Sequence, residues 1–338
     1  MDALVEDSDK LFLEVFAHLA AVEAQPGLPL DEELLKRSER NLTPTSPKVL
    51  LWRVLETGEK LLQTLQQDPR PLTRLLERVI SLLPFDELRS TISAEKLQEG
   101  LASPSVSIQL LCLAYLRKAA DSPSGASFVA TSSSLVQCQF TIWLSSESTE
   151  VAERSLEVIE ALLAVDSQNS TTVLSAGRSF AEAQGQGLLW RRVFHDPDVY
   201  ATLFEWTSLT KSKRDVNNKK GMQLVTISQA RLFDFIARVA PYDWSAVTTS
   251  SLVQIEAQFL KDNGGSEPYG GILRYAASHM IDRGDILMEV LRQDFFVKLL
   301  GVVEESNRQN VSPQLLEAIQ QGAGITATKD QESDGLHL

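Results

Sequence analysis

Four histidines and two cysteines are the residues of this 338-residue chain best suited to hold a metal or act as nucleophiles. His18, His195, His279 and His337 are scattered, and none stands one helical turn from another histidine or from a cysteine. A zinc site needs such spacing, so no metal is expected. His279 falls beside Ala276 and Met280 on an apolar helix face and reads as a core or half-buried histidine. Cys112 and Cys138 sit among apolar residues and read as small buried hydrophobes, with no disulfide framework. Gly185-Gln186-Gly187 lacks the third glycine and the preceding strand of a dinucleotide loop, so it reads as a helix end. No phosphate-cradling loop with a lysine, no paired histidines around a glutamate and no serine elbow occurs. The adjacent carboxylates Glu304-Glu305 fall on a solvated helix face. An enzyme needs titratable groups converging on a pocket. None is evident here, so no catalytic residue and no cofactor are expected.

Charge narrows the remaining classes. Acidic residues outnumber basic ones by 45 to 32, for a net charge of -13, and such a surface repels phosphate backbones and anionic lipid. The exception is the run Lys211-Ser212-Lys213-Arg214-Asp215-Val216-Asn217-Asn218-Lys219-Lys220. It reads as a solvated interhelical loop, with a nuclear-localisation patch or a contact to an acidic partner as the functional alternatives. No aromatic interleaves with its charges, so bases would find no stacking platform. Nucleic acid is therefore not an expected partner. Nor is a membrane, because no apolar run approaches the roughly 18 residues that span one. The acidic opening Met1-Asp2-Ala3-Leu4-Val5-Glu6-Asp7 lacks the layout of a signal peptide, which points to the cytoplasm or nucleus.

The elements that must position any site are helices. Hydrophobic residues make up 43% of the chain, enough for a continuous core, and they recur with period 3.6 rather than 2. Leu11, Phe12, Val15, Phe16 and Leu19 form one stripe; Val49, Leu50, Val54, Leu55, Leu61, Leu62 and Leu65 form another. A third, Leu72, Leu75, Leu76, Val79, Leu82 and Leu83, stops at Pro84. The breaks Ser46-Pro47, Asp68-Pro69, Ser103-Pro104, Asp196-Pro197 and Ser312-Pro313 each offer a capping side chain followed by a proline suited to a first turn.

The pattern also repeats. Val106, Leu111 and Leu113 match Val151, Leu156 and Val158 at one constant offset. Further copies start at Val225, with Ala230 and Leu232, and at Ile272, with Ala277. The spacings fit the roughly 40–47 residues of armadillo and HEAT units, apart from one unit that carries the loop 211–220 as an insertion. The expectation is an all-α armadillo/HEAT-like helical-repeat solenoid over 1–324, followed by a disordered polar tail at 325–338. Stacked units bury one another's apolar faces and leave a groove of polar residues between the buried stripes. That groove places candidate protein-binding residues at Gln137 and Thr141, at Thr202 and Glu205, at Gln254, Gln258 and Lys261, and at Lys298 and Glu305. Phe259 falls on the core stripe of the helix read over 251–261. Armadillo receptors for extended basic peptides use Trp followed four residues later by Asn. Here Trp52, Trp143, Trp190, Trp206 and Trp244 are followed by Glu56, Glu147, Phe194, Thr210 and Thr248, so these tryptophans read as core.

The run Leu50-Leu51-Trp52-Arg53-Val54-Leu55-Glu56, followed by 105–119 and 150–164, resembles the amino-terminal half of the proteasome base-assembly chaperones. That family includes proteasome non-ATPase regulatory subunit 5 of animals and fungal relatives that carry a mismatch-repair name. The helix 232–240, the turn Pro241-Tyr242-Asp243-Trp244 and Ser251-Leu252-Val253 are similar to the family's next repeat. The resemblance implies a curved, non-catalytic solenoid that transiently holds the carboxy-terminal domain of one proteasomal ATPase subunit while the regulatory-particle base assembles. A monomer is expected. The alternative is an armadillo-type Hsp70 nucleotide-exchange factor or a nuclear adaptor.

Overall fold

The computed structural model describes residues 2–168, 185–260, 268–305 and 311–325. Every regular element among them is helical. None of these helices is long and apolar enough to cross a membrane. Backbone contacts divide the chain into two compact units, Met1–Val193 and Phe194–Leu338. The first holds α1 (Asp2–Ala24), α2 (Glu32–Asn41), α3 (Lys48–Leu62), α4 (Arg70–Leu82), α5 (Phe85–Leu88), α6 (Ala94–Leu101), α7 (Val106–Ala119), α8 (Pro123–Thr131), α9 (Ser133–Ser145) and α10 (Thr149–Asp166). After α11 (Leu188–His195), the second holds α12 (Pro197–Glu205), α13 (Lys219–Val239), α14 (Trp244–Thr248), α15 (Val253–Phe259) and α16 (Gly271–Arg274). Then follow a π-helical turn at Tyr275–His279, α17 (Ile286–Glu305) and α18 (Pro313–Gly322). Apart from Ile325, the expected polar tail lies outside the described residues.

Helix starts obey local chemistry, though not always at the expected residue. Asp196 caps α12 by accepting from the Asp198 and Val199 amides at 3.0 and 3.4 Å, and Ser312 caps α18 by accepting from Leu315 at 3.2 Å. Pro197 and Pro313 occupy the first turns, where no amide donor is required. The other three Pro breaks differ. Pro47, Pro69 and Ser105 hold the cap positions of α3, α4 and α7, and no side chain caps those helices. In α3 and α4 the proline itself takes the cap position, and before α7 it stands one residue ahead of the cap; Asp68 reaches only the first amide of α4, that of Arg70, at 3.0 Å. Ser93, Ser122, Ser132 and Ser148 cap α6, α8, α9 and α10 instead.

In the first unit, each helix packs mainly on its near neighbours in sequence. Helix α4 lies against α2, α3 and α7, while α7 also meets α6, α8 and α10. Being contacted on several sides, α7 buries Leu110, Leu111, Cys112, Leu113, Tyr115, Leu116 and Ala119, which run right round the helix. Its Tyr115 hydroxyl donates to Glu59 of α3. The stripes of α1 and α4 are buried as their spacing indicates, except for Phe16 and Leu82, which are half-buried. In α3, Val49 is 81% exposed, because it stands on the side of the helix opposite the buried Leu51, Val54, Leu55, Gly58 and Leu61.

The second unit is organised around aromatic rings. Phe204 lies 5.1 Å from Tyr200, 4.6 Å from Tyr275 and 5.3 Å from Phe259, centroid to centroid. The Gln229 amide of α13 donates to the carbonyls of Thr207 and Met280 at 2.8 and 2.7 Å, tying the ends of two other segments to that helix. Separately, α17 rests on α13 and α18.

Large-to-small substitution should separate core from surface. Trp143 is fully buried with its ring edge-on to Phe140, so Trp143→Ala is expected to cost about 3–5 kcal/mol. Val49→Ser should stay within about 0.5 kcal/mol. Urea melts followed by circular dichroism measure both, and equal midpoints would contradict this packing.

Candidate protein-binding surface

Among the residues expected to face a partner, those of α12 and α15 lie on helices that touch. Gln254 and Gln258 are exposed on α15, and the Gln258 amide donates to the Gln254 carbonyl at 3.2 Å. Lys261 lies outside the described residues, and α15 ends at Phe259 rather than continuing to 261. Phe259 is half-buried and stacks on Phe204, so the face assigned to the core is the right one but only partly covered. Thr202 is not at the surface. It is completely buried and donates its hydroxyl to the Asp198 carbonyl at 2.9 Å, one turn back. The short α12 is covered on more faces than a two-layer reading of its periodicity allows. Glu205 is half-buried at the end of α12 and pairs with Lys213 at 2.7 Å.

On α9, in the first unit, Gln137 and Thr141 are half-buried. On α17, Lys298 is exposed and pairs with Asp234 of α13 at 3.2 Å, and Glu305 is exposed at the helix end. Exposed polar character is therefore strongest at Gln254, Gln258, Lys298 and Glu305.

Sequence reasoning missed Glu256, which sits between the two exposed glutamines of α15 and is nevertheless buried. Its carboxylate accepts from the Tyr200 hydroxyl at 3.0 Å and from the Ser250 hydroxyl at 2.6 Å. Ser250 in turn accepts from the Gly271 amide at 3.1 Å. A buried carboxylate is tolerated where donors meet its lone pairs. The result is a clamp joining α12, α15 and the start of α16. Burial and the adjacent carboxylate push the Tyr200 phenol far above its ordinary range, so it stays a donor. Period and spacing carry no mark of this clamp, because its partners are distant in sequence.

The basic run is a loop only up to Asn218; Lys219 and Lys220 form the first turn of α13. The loop's cations fold back on its own unit. The Arg214 guanidinium lies 5.2 Å from the Trp206 ring, Lys211 lies 5.9 Å from Phe259, and Lys213 holds Glu205. Asn218 caps α13 by accepting from the Gly221 amide at 2.7 Å, and any side chain at Gly221 would collide with the Asp215 carbonyl. Gly185-Gln186-Gly187 does lie at a helix end, just before α11. The buried Asp166 carboxylate accepts there from the amides of Gln186 and Leu189 at 3.3 and 2.6 Å. Burial pushes that carboxyl above its ordinary range, partly offset by these bonds.

His279 is buried within the π-helical turn. Cys112 is buried and Cys138 half-buried. Burial pushes the Cys112 thiol up to about 12 and the Cys138 thiol up to about 11. Both flank α6, where Cys138 Sγ lies 3.7 Å from the Gln98 carbonyl and a side chain at Gly100 would strike Cys112 Sγ. Among the described residues, no group of three or more His, Cys, Asp or Glu side chains could hold a metal ion.

Because the thiolate is the reactive form, both cysteines should be alkylated slowly by iodoacetamide at pH 8, with Cys112 the slower. Both rates should rise with pH and jump on denaturation. Mass spectrometry of timed reactions reads this out, and rapid labelling of Cys112 in the native chain would contradict its placement.

Comparison with known proteins gives no independent assignment: no protein-family model matches the chain, and no curated protein matches it.

Proposed function

We propose that this chain is a non-catalytic protein-binding scaffold of the armadillo/HEAT kind. In this reading it holds the carboxy-terminal domain of a proteasomal ATPase subunit during assembly of the regulatory-particle base. The observation that carries the proposal is the resemblance to base-assembly chaperones borne by Leu50-Leu51-Trp52-Arg53-Val54-Leu55-Glu56 and the segments that follow it, on a chain whose described elements are all helical. A repeat architecture gains support from burial at the matched positions. Leu111 and Leu156 are both buried, as are Leu113, Val158 and Leu232, and so are Val225 and Ile272. Two positions depart from the pattern: Val106 is exposed where Val151 is buried, and Ala230 is half-buried where Ala277 is buried. A binding role rather than catalysis is favoured by what the buried carboxylates do. Asp166 and Glu256 are occupied in holding helix ends and clamping helices.

Recovery of the tagged full chain from cell extract, read by mass spectrometry, tests the partner. A proteasomal ATPase should be enriched. Enrichment of Hsp70 or of basic nuclear cargo, with no ATPase, would overturn the proposal.

The exposed glutamines of α15 then separate binding from folding. Gln254→Glu with Gln258→Glu should weaken the recovered complex at least about tenfold, since charge trapped in an interface is costly. Stability should move by less than about 0.5 kcal/mol. Phe259→Ala should instead cost about 1–2 kcal/mol of stability, less than a fully buried ring. Titration paired with a thermal melt checks both. A glutamate variant that melts like Phe259→Ala would mean that the faces of α15 are reversed.

A further inference from the structure

Helix α17 is apolar on nearly every side, and two of its faces are accounted for. Phe295 meets Phe233 of α13 at 4.8 Å, and Lys298 reaches Asp234 of the same helix. Toward α18, Phe296 lies against Gly322, where any side chain would collide with the ring, and the Gln293 amide donates to the Ala323 carbonyl at 3.3 Å. Nothing among the described residues covers the third face. Ile286, Val290 and Val297 are 81%, 48% and 51% exposed, and Leu287 beside them is 62% exposed. With Gly301, where an added side chain would meet nothing, they follow one another at helical spacing along about 22 Å of the helix. Isolated exposed apolar residues are ordinary. A run of them along one helix is the form of a docking strip.

Charge says what fits the strip. Among the described residues, the cations on α17 and just before it are already engaged: Arg283 and Arg292 with Glu289 at 3.5 and 2.5 Å, and Lys298 with Asp234. Asp294, exposed in the middle of the strip, has no ion pair among the described residues, and neither has Glu305 at its end. The last turn of α17 contains no basic residue, so the negative end of the helix dipole adds to Glu305. A second copy is a poor occupant. A two-fold axis through the middle of the strip would set Asp294 against Asp294, and like charges in an interface are repelled.

We infer that the exposed face of α17 is a docking strip for an amphipathic helix of another protein, with apolar anchors one turn apart and a lysine or arginine opposite Asp294. The strip is separate from the glutamine face of α15 and does not rest on the ATPase reading.

The test uses the full chain and two synthetic helical peptides of roughly 18 residues, long enough to run the length of the strip. Both carry leucines at helical spacing. One has lysines on the flanks, and the other has glutamates in their place. Fluorescence anisotropy should show the lysine peptide binding at least about tenfold tighter than the glutamate peptide, with the gap narrowing in high salt. Val290→Asp with Val297→Asp should remove binding of the lysine peptide. Asp294→Lys keeps the apolar strip and should reverse the peptide preference, which preserves the test if the aspartate variant melts early. Equal binding of both peptides, or binding of neither, would overturn the inference. So would sedimentation as a dimer that Val290→Asp dissociates, since the occupant would then be a second copy. Persistent peptide binding with no ATPase in the extract experiment would remove the proposed function and leave this strip standing.

Discussion

The structure depends on helices that must be covered on more than one side. An amphipathic helix with one apolar stripe is satisfied by a single neighbour. Helix α7 is not, because its buried residues include Leu110, Leu111, Cys112 and Leu113 in direct succession. It needs α4, α6, α8 and α10 around it, and those contacts decide where the surrounding helices can go. In the second unit the same demand falls on rings: Tyr200, Phe204 and Tyr275 are all buried, and each is packed on another ring. Burying a large apolar side chain contributes about 1.5–3 kcal/mol. A helix with such residues on several faces therefore fixes its neighbours far more firmly than its own propensity fixes its shape.

Short helices packed this way bring many helix ends inside or near the core, and each end leaves amides or carbonyls that need partners. The chain meets that need from distant positions. Asp166, at the end of α10, receives the Leu189 amide in the first turn of α11 and the Gln186 amide just before that helix. Arg78 donates to the Leu42 carbonyl just past the end of α2 at 2.8 and 3.2 Å. Gln229 serves two carbonyls at once, and Glu256 gathers Tyr200 and Ser250. A buried charge removed from such a set leaves its partners unsatisfied, which costs more than the bonds contribute while intact. These groups look like chemistry in a list of buried polar residues. Their geometry makes them joints.

Helices were legible in the sequence because period 3.6 survives in segments such as α3, α4 and α13, and the caps Asp196 and Ser312 were legible because a cap and its proline are local. What depended on the count of neighbours was not. Thr202 has the spacing of a solvent-facing residue and is fully buried, because α12 is covered on a face that its own periodicity does not reveal. The basic run is a largely solvated loop, with Lys211 and Lys213 exposed as composition indicates, but composition does not show that Lys211, Lys213 and Arg214 turn back onto Phe259, Glu205 and Trp206, none of which is adjacent in sequence. The outward strip of α17 was hidden for the opposite reason. A helix apolar on every side gives no sign of which side lacks a neighbour.

Amide hydrogen exchange of the native chain, read by mass spectrometry, tests the dependence on many-sided burial most directly. Helix α7 should exchange only through the deepest opening of its unit, because no partial unfolding frees it without exposing the helices packed around it. Helix α2, which buries only Leu35 and Ser38, should exchange orders of magnitude sooner. Exchange of α7 as early as α2 would contradict the account.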